Sequence, residues 1–182
     1  MRWPVGLLYV LSLLLLAGCL VSEVTEYTLT LNADGKSGTF TTVMRHVESD
    51  SRDSAAQEKD FATLIGNWKG DRFLLDQMDK GLYVKARNLS MEKGKLVWRE
   101  SSIFADVTKL IPGFSPDSAL RFPLTDTSGL KVTSNGKLIA TRDSTFIVWP
   151  PHTRTFEMKS SQRNFTPASN FVKSFQKYSR KR

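Results

Sequence analysis

The side chains with reactive potential are one thiol, two imidazoles and a local cluster of carboxylates. Cys19 is the only cysteine in the chain, so no intramolecular disulfide framework is open to it. His46 and His152 stand far apart, and neither has a neighbouring ligand at metal-binding spacing. A zinc site would need carboxylates to complete its ligand set. Asp50, Asp53, Glu58 and Asp60 lie close together, as a pair of acids for glycoside hydrolysis would. They fall at an expected helix start, however, where capping and complementing the helix dipole is the simpler role. The sequence has no Gly-x-Ser-x-Gly elbow and no phosphate-cradling loop. The expectation is a non-enzyme with no catalytic residue, no metal and no cofactor. That leaves the thiol.

Cys19 sits at the end of an apolar run. Arg2 is the only charge before Glu23, and Leu7 to Leu16 is apolar apart from Ser12, the length expected of a signal-peptide core. Leu16-Ala17-Gly18-Cys19 follows. Two small residues let a peptidase close around the bond between Gly18 and Cys19, and the thiol is the nucleophile that takes a lipid. This stretch resembles the lipobox of bacterial prolipoproteins. The resemblance implies residues 1–18 as a signal peptide, cleavage between Gly18 and Cys19, and lipidation of Cys19. A plain transmembrane anchor is the competing reading. Pro4, Gly6 and Gly18 shorten its helical core, and no basic cluster follows Val21 to mark a stop-transfer end. Residues 19–26 are expected as a short lipidated tether, and 27–182 as a single α+β domain.

Charge is segregated. From Cys19 to Pro151 there are 17 basic and 17 acidic residues, while beyond Pro151 eight basic residues face only Glu157. The basic segment is therefore 152–182, and Lys173, Lys177, Arg180, Lys181 and Arg182 are its densest part. Such asymmetry points to an anionic partner, a lipid headgroup or cell-wall polymer; the plainer reading is a solvated basic face. Nucleic acid is not expected, because lipidation places the domain outside the cytoplasm, in the cell envelope. No particular protein partner is indicated. Leu20, where an aspartate would favour inner-membrane retention in enteric-type bacteria, leans toward the outer membrane if the source has two.

The elements that would carry these surfaces can be read from periodicity. Tyr27, Leu29 and Leu31 alternate with threonines, which predicts a half-buried strand. Asn32 to Lys36 supplies a turn, and Gly38 to Val43 returns. Asp53 or Ser54 can cap a helix with the stripe Phe61, Leu64, Ile65 and Trp68. Phe73 to Met78 fits either strand or short helix. Leu82 to Ala86 and Leu96 to Phe104 predict a second hairpin about Glu92-Lys93-Gly94-Lys95. Pro112, Pro116 and Pro123 leave at most an edge strand around 114–123. Asn135-Gly136 between Leu130–Ser134 and Lys137–Ala140 is a strong hairpin signal, because both residues tolerate positive φ. Thr145–Trp149 and Thr155–Lys159 are strands. Phe171, Val172, Phe175 and Tyr178 define one face of a terminal helix. The fold class is α+β, with an antiparallel, curved or partly closed sheet built from hairpins, one helix packed on it and a short C-terminal helix.

The early Asn-Ala-Asp-Gly turn and the later Ser-Asn-Gly followed by Phe-Ile-Val-Trp resemble patterns in uncharacterised envelope lipoproteins of the mycobacterial LppM-like kind. No functional residue is carried over from that likeness. Two roles follow from the whole reading. One is a membrane-anchored, non-catalytic binding or assembly module whose basic C-terminal segment contacts an anionic surface. The alternative is a carrier for lipid or apolar polypeptide, with a cavity between sheet and helix lined by residues such as Trp68, Leu64 and Phe40.

Overall fold

The computed structural model describes residues 20–124, 129–141 and 144–180. The lipobox, Lys181 and Arg182 lie outside the described residues. Nine strands and four helices are present among them, and every strand pairing is antiparallel. β1 (Leu20–Leu31) and β2 (Gly38–Ser49) form a long hairpin; α1 (Ser54–Lys69) and α2 (Asp71–Asp79) follow. β3 (Tyr83–Glu92) and β4 (Lys95–Phe104) form the second hairpin, and α3 (Val107–Leu110) closes the first half. Then come β5 (Leu120–Leu124), β6 (Leu130–Ser134), β7 (Lys137–Ala140), β8 (Thr145–Trp149), β9 (Thr155–Gln162) and α4 (Phe171–Ser179). One sheet has six strands in the order β3-β4-β2-β1-β9-β6, and the other has three, β5-β8-β7. This is the α+β architecture expected, with a partly open sheet.

One face of the large sheet buries two apolar clusters. Leu29, Leu31, Phe40, Phe104 and Phe156 lie beneath the small sheet and α3, with Phe122, Ile147, Trp149 and Leu110 against them. Val47, Leu89, Leu96 and Trp98 lie beneath the helices, with Leu64 and Phe171. α1 follows its sequence signals closely. The Asp53 carboxylate accepts from the Ala56 amide at 2.8 Å, and the stripe Phe61, Leu64, Ile65 and Trp68 faces the second cluster. The ambiguous Phe73–Met78 stretch resolves as helix, since Gly70 ends α1 and α2 restarts at once. The Lys93-Gly94 turn has both residues at positive φ, 49° and 75°, as a tight hairpin turn requires.

The tether expected over 19–26 is corrected by the structure. From Leu20 onward the chain is strand, with Leu20 opposite Ser49 and Val21 opposite Glu48. The segment mixes polar and apolar residues without clean alternation, so it reads poorly as a strand. It becomes one because the far half of β2, including buried Val47, Glu48 and Ser49, offers it a ladder of backbone partners.

The expected hairpin at Asn135-Gly136 is also corrected. β6 pairs with β9 in the large sheet, whereas β7 pairs with β8 in the small one. Asn135-Gly136 is therefore a corner between two sheets, and neither residue has positive φ. The Asn135 side chain fixes the corner: its Oδ1 accepts from Trp149 Nε1 at 2.7 Å and from the Glu157 amide at 2.9 Å, and its Nδ2 donates to the Thr155 carbonyl at 2.8 Å. Glycine is needed next because a Cβ there would meet Ile147 Cγ2 and Trp149 Nε1 at 2.7 Å. Gly136→Ala is expected to cost about 2–3 kcal/mol through overpacking. Gly66→Ala, on an open helical surface, should instead stabilise by about 0.5–1 kcal/mol. Paired urea titrations check both signs.

Candidate functional site

Of the basic residues that the charge asymmetry singles out, α4 carries Lys173 and Lys177, and Arg180 is its C-cap. Its inward positions are Phe171, buried to 1 %, and Phe175. The Phe171 ring meets Phe61 edge-on at 5.4 Å, and Phe175 lies 5.9 Å from Trp68. Asn170 caps the helix by accepting from the Lys173 amide at 3.2 Å. A second, longer-range cap comes from Glu48, only 2 % exposed. Its Oε2 accepts from the Phe171 amide and from Ser169 Oγ, each at 2.7 Å. A carboxylate at a helix N-terminus is favourably placed against the helix dipole.

The opposite face of α4 is cationic. Lys173, Lys177 and Arg180 fall at i, i+4 and i+7, a single helical stripe, and all three are exposed. Among the described residues none of the three is in an ion pair. Lys159, also in the basic segment, differs: it pairs with Glu26 at 3.1 Å. That pair belongs to a ladder on the sheet's outer face, in which Arg45 bridges Glu26 and Glu92 and Arg99 also binds Glu92. The positive surface is thus narrower than the sequence segment implied, and α4 is its ordered core.

Leu20, one residue after Cys19 in the sequence, packs against the same apolar cluster as Phe175 and buried Phe171. Glu48, the cap of α4, is the strand partner of Val21. Polar contacts reinforce this end. Ser49 donates its amide to Ser169 Oγ at 2.8 Å and its hydroxyl to buried Asp60 at 2.6 Å. Gln57 Nε2 donates to the carbonyls of Ser51 and Ala168. Of the acidic cluster, then, Asp53 caps a helix and Asp60 fastens β2 to α1. Sequence reasoning missed Glu48, Ser49 and Ser169 because their partners are more than a hundred residues apart.

His46 lies at the same end, with φ 58° in the middle of β2. Its Nδ1 is 3.0 Å from Glu23 Oε2, its Nε2 is 3.9 Å from Glu48 Oε1, and its ring packs on Phe165. Glu23 also binds Lys95; hydrogen bonds from Lys95 and then His46 hold its carboxyl below the usual range. His152 is exposed beside Asp117 at 3.6 Å. Among the described residues no group of His, Asp and Glu converges as a metal site.

A polar row crosses the covered face between the two apolar clusters. Arg87, Glu100, Thr42 and Tyr27 stand in register on β3, β4, β2 and β1. Arg87 donates to the Asn67 and Gly70 carbonyls at 2.6 and 2.8 Å, joining the helix junction to β3. Glu100 is 3 % exposed and accepts from Ser102 through Oε1. Among the described residues its Oε2 and Thr42 Oγ1 have no hydrogen-bond partner. Burial pushes the Tyr27 phenol up to about 12, and burial also raises the Glu100 carboxyl.

The sign of that shift gives a test. A carboxyl raised in the folded state contributes stability that is complete below its ordinary value of 4.5 and lost as pH climbs through the raised value. Glu100→Gln removes this loss and offers Thr42 Oγ1 a donor. It should stabilise by about 1 kcal/mol at neutral pH and by much less under acidic conditions, as read from thermal melts across pH. An equal effect at both pH values would refute the assignment.

The residues named for a cavity between sheet and helix, Trp68, Leu64 and Phe40, fall in two separate clusters. Phe40 belongs to the cluster beneath the small sheet, and Leu64 and Trp68 to the one beneath the helices. An apolar pocket does open between the sheets, lined by Tyr27, Phe40, Leu120, Phe122 and Trp149, but it measures only ≈ 70 Å³. That is less than the about 150 Å³ that accommodates benzene. A larger open depression of ≈ 500 Å³ lies over β1, β9 and β6, where Glu26, Glu157 and Lys159 present mixed charge. No protein-family profile, curated protein or solved structure matches the chain.

Proposed function

We propose that the protein is a non-catalytic envelope module, lipid-anchored through Cys19, whose basic C-terminal segment contacts an anionic surface. One observation carries the reading: the helix that presents the cationic stripe packs its apolar face on the same cluster as Leu20, the residue that follows Cys19. Anchor and charge thus act on the same end of the sheet. An exposed, unpaired row of cations on a rigidly capped helix is suited to a multivalent anionic partner rather than to a single acid. Among the described residues no helix is long and apolar enough to cross a membrane. The localisation that follows from lipidation of Cys19 is extracytoplasmic.

Intact-mass analysis of the membrane-extracted protein tests the reading. The expected mass is that of a chain beginning at Cys19 plus acyl groups. An unprocessed chain without lipid would overturn it.

A further inference from the structure

We propose that the anionic surface is the headgroup layer of the same bilayer that holds Cys19, with α4 lying along it. This rests on the lipidation reading and goes further by fixing the partner and the orientation of the domain. The first argument is reach. Because β1 begins at Leu20, whose side chain packs against the apolar cluster that includes Phe171, the residue after the acylated cysteine already belongs to the domain. α4 has nine residues and so runs about 14 Å from its Glu48 cap. Its cations are thus held within one to two Debye lengths of that end, each about 8–10 Å, the range over which a charged leaflet is felt. A polymer lying far from the bilayer would be out of their reach.

The second argument is charge complementarity. Lys173, Lys177 and Arg180 are exposed along one stripe. The carboxylates at the same end are largely masked: Glu23 is bound by Lys95, Glu26 by Arg45 and Lys159, and Glu48 and Asp60 are buried. Asp50, Asp53 and Glu58 are exposed, with Arg52 and Lys59 exposed among them. Each cation near an anionic leaflet multiplies the docked population by about fivefold, so three give about a hundredfold.

The third argument concerns the opposite pole. β1 has twelve residues and spans about 40 Å, which carries the turn after Leu31, α3 and the small sheet away from the bilayer. The domain thus has a membrane pole made by α4 and an outward pole made by the small sheet.

The test uses full-length lipidated protein. Acylation of Cys19 leaves no other thiol, so Gln176→Cys on the stripe and Lys36→Cys in the β1–β2 turn can each take one spin label. Protein is reconstituted into phosphatidylcholine vesicles with or without phosphatidylglycerol, and accessibility to an aqueous quencher is read. The label at position 176 should lose accessibility only with phosphatidylglycerol, and that at 36 should stay accessible throughout. Lys173→Gln, Lys177→Gln and Arg180→Gln together should restore access at 176, with an unchanged melting profile. If the protein floats with the vesicles but position 176 remains equally accessible in both, the docking proposal fails while the anchor stands. If it does not float, the anchor reading fails and the proposal with it.

Discussion

Cys19→Ala is expected to leave the protein as an unlipidated, uncleaved precursor with its fold intact. Alanine has no thiol to receive diacylglycerol, so neither lipid addition nor the cleavage that depends on it can proceed. Acyl chains hold a protein to a bilayer by about 0.8 kcal/mol per buried CH₂, and stable attachment takes two chains or one plus a basic patch. Without lipid, the retained apolar segment before residue 19 and the cations of α4 are the remaining attractions, and salt screens only the second. The fold has little stake in the thiol, since the described apolar clusters begin at Leu20. Intact mass of the membrane-extracted variant, alongside its circular dichroism, checks both halves. A variant cleaved like the parent would argue against lipid-dependent processing at Cys19.

Glu48→Ala is expected to have the largest effect on stability, about 3–5 kcal/mol. The carboxylate is buried and accepts from Ser169 Oγ and the Phe171 amide. Truncation leaves two buried donors unpaired at about 1–3 kcal/mol each, and it removes a negative charge from a helix N-terminus, worth about 0.5 kcal/mol. Glu48→Gln keeps an acceptor oxygen and should lose far less. The alanine variant should also loosen α4 from Phe61 and Trp68, opening the 163–170 connection to protease before the sheet unfolds. Urea titration and limited proteolysis separate the two effects. If both variants melt like the parent, Glu48 is not the latch of the basic helix.

Much of this architecture was legible from local pattern. Tyr27, Leu29 and Leu31 alternate because every second side chain in a strand meets the same face. The stripe Phe61, Leu64, Ile65 and Trp68 announces a helix with one buried side, and Asp53 marks its start. Lys93-Gly94 reads correctly because its turn chemistry is complete within four residues. The Phe171–Tyr178 face is visible for the same reason. Each is a short-range signal whose physical cause lies within a few residues.

The misread segments share the opposite property. Asn135-Gly136 has the composition of a tight turn, yet its conformation is set by Trp149, Thr155 and Glu157, which capture the Asn135 side chain and pull β6 and β7 into different sheets. Leu20 to Glu26 is a strand because β2 and β9 pair with it. Glu100 and Thr42 meet across β4 and β2, and no periodicity shows a polar row crossing between two apolar clusters.

By itself, then, the sequence determined the α+β class, the hairpin and helix positions and the concentration of positive charge in the C-terminal segment. These depend on side-chain period, turn chemistry and charge count, all properties of the chain as written. Tertiary structure decided which strands share a sheet, which basic residues are already neutralised by Glu26, and that the start of β1 and the cationic face of α4 meet at one end. Those outcomes depend on hydrogen bonds and packing between residues such as Glu48 and Phe171, which are brought together only when the sheet closes over its core.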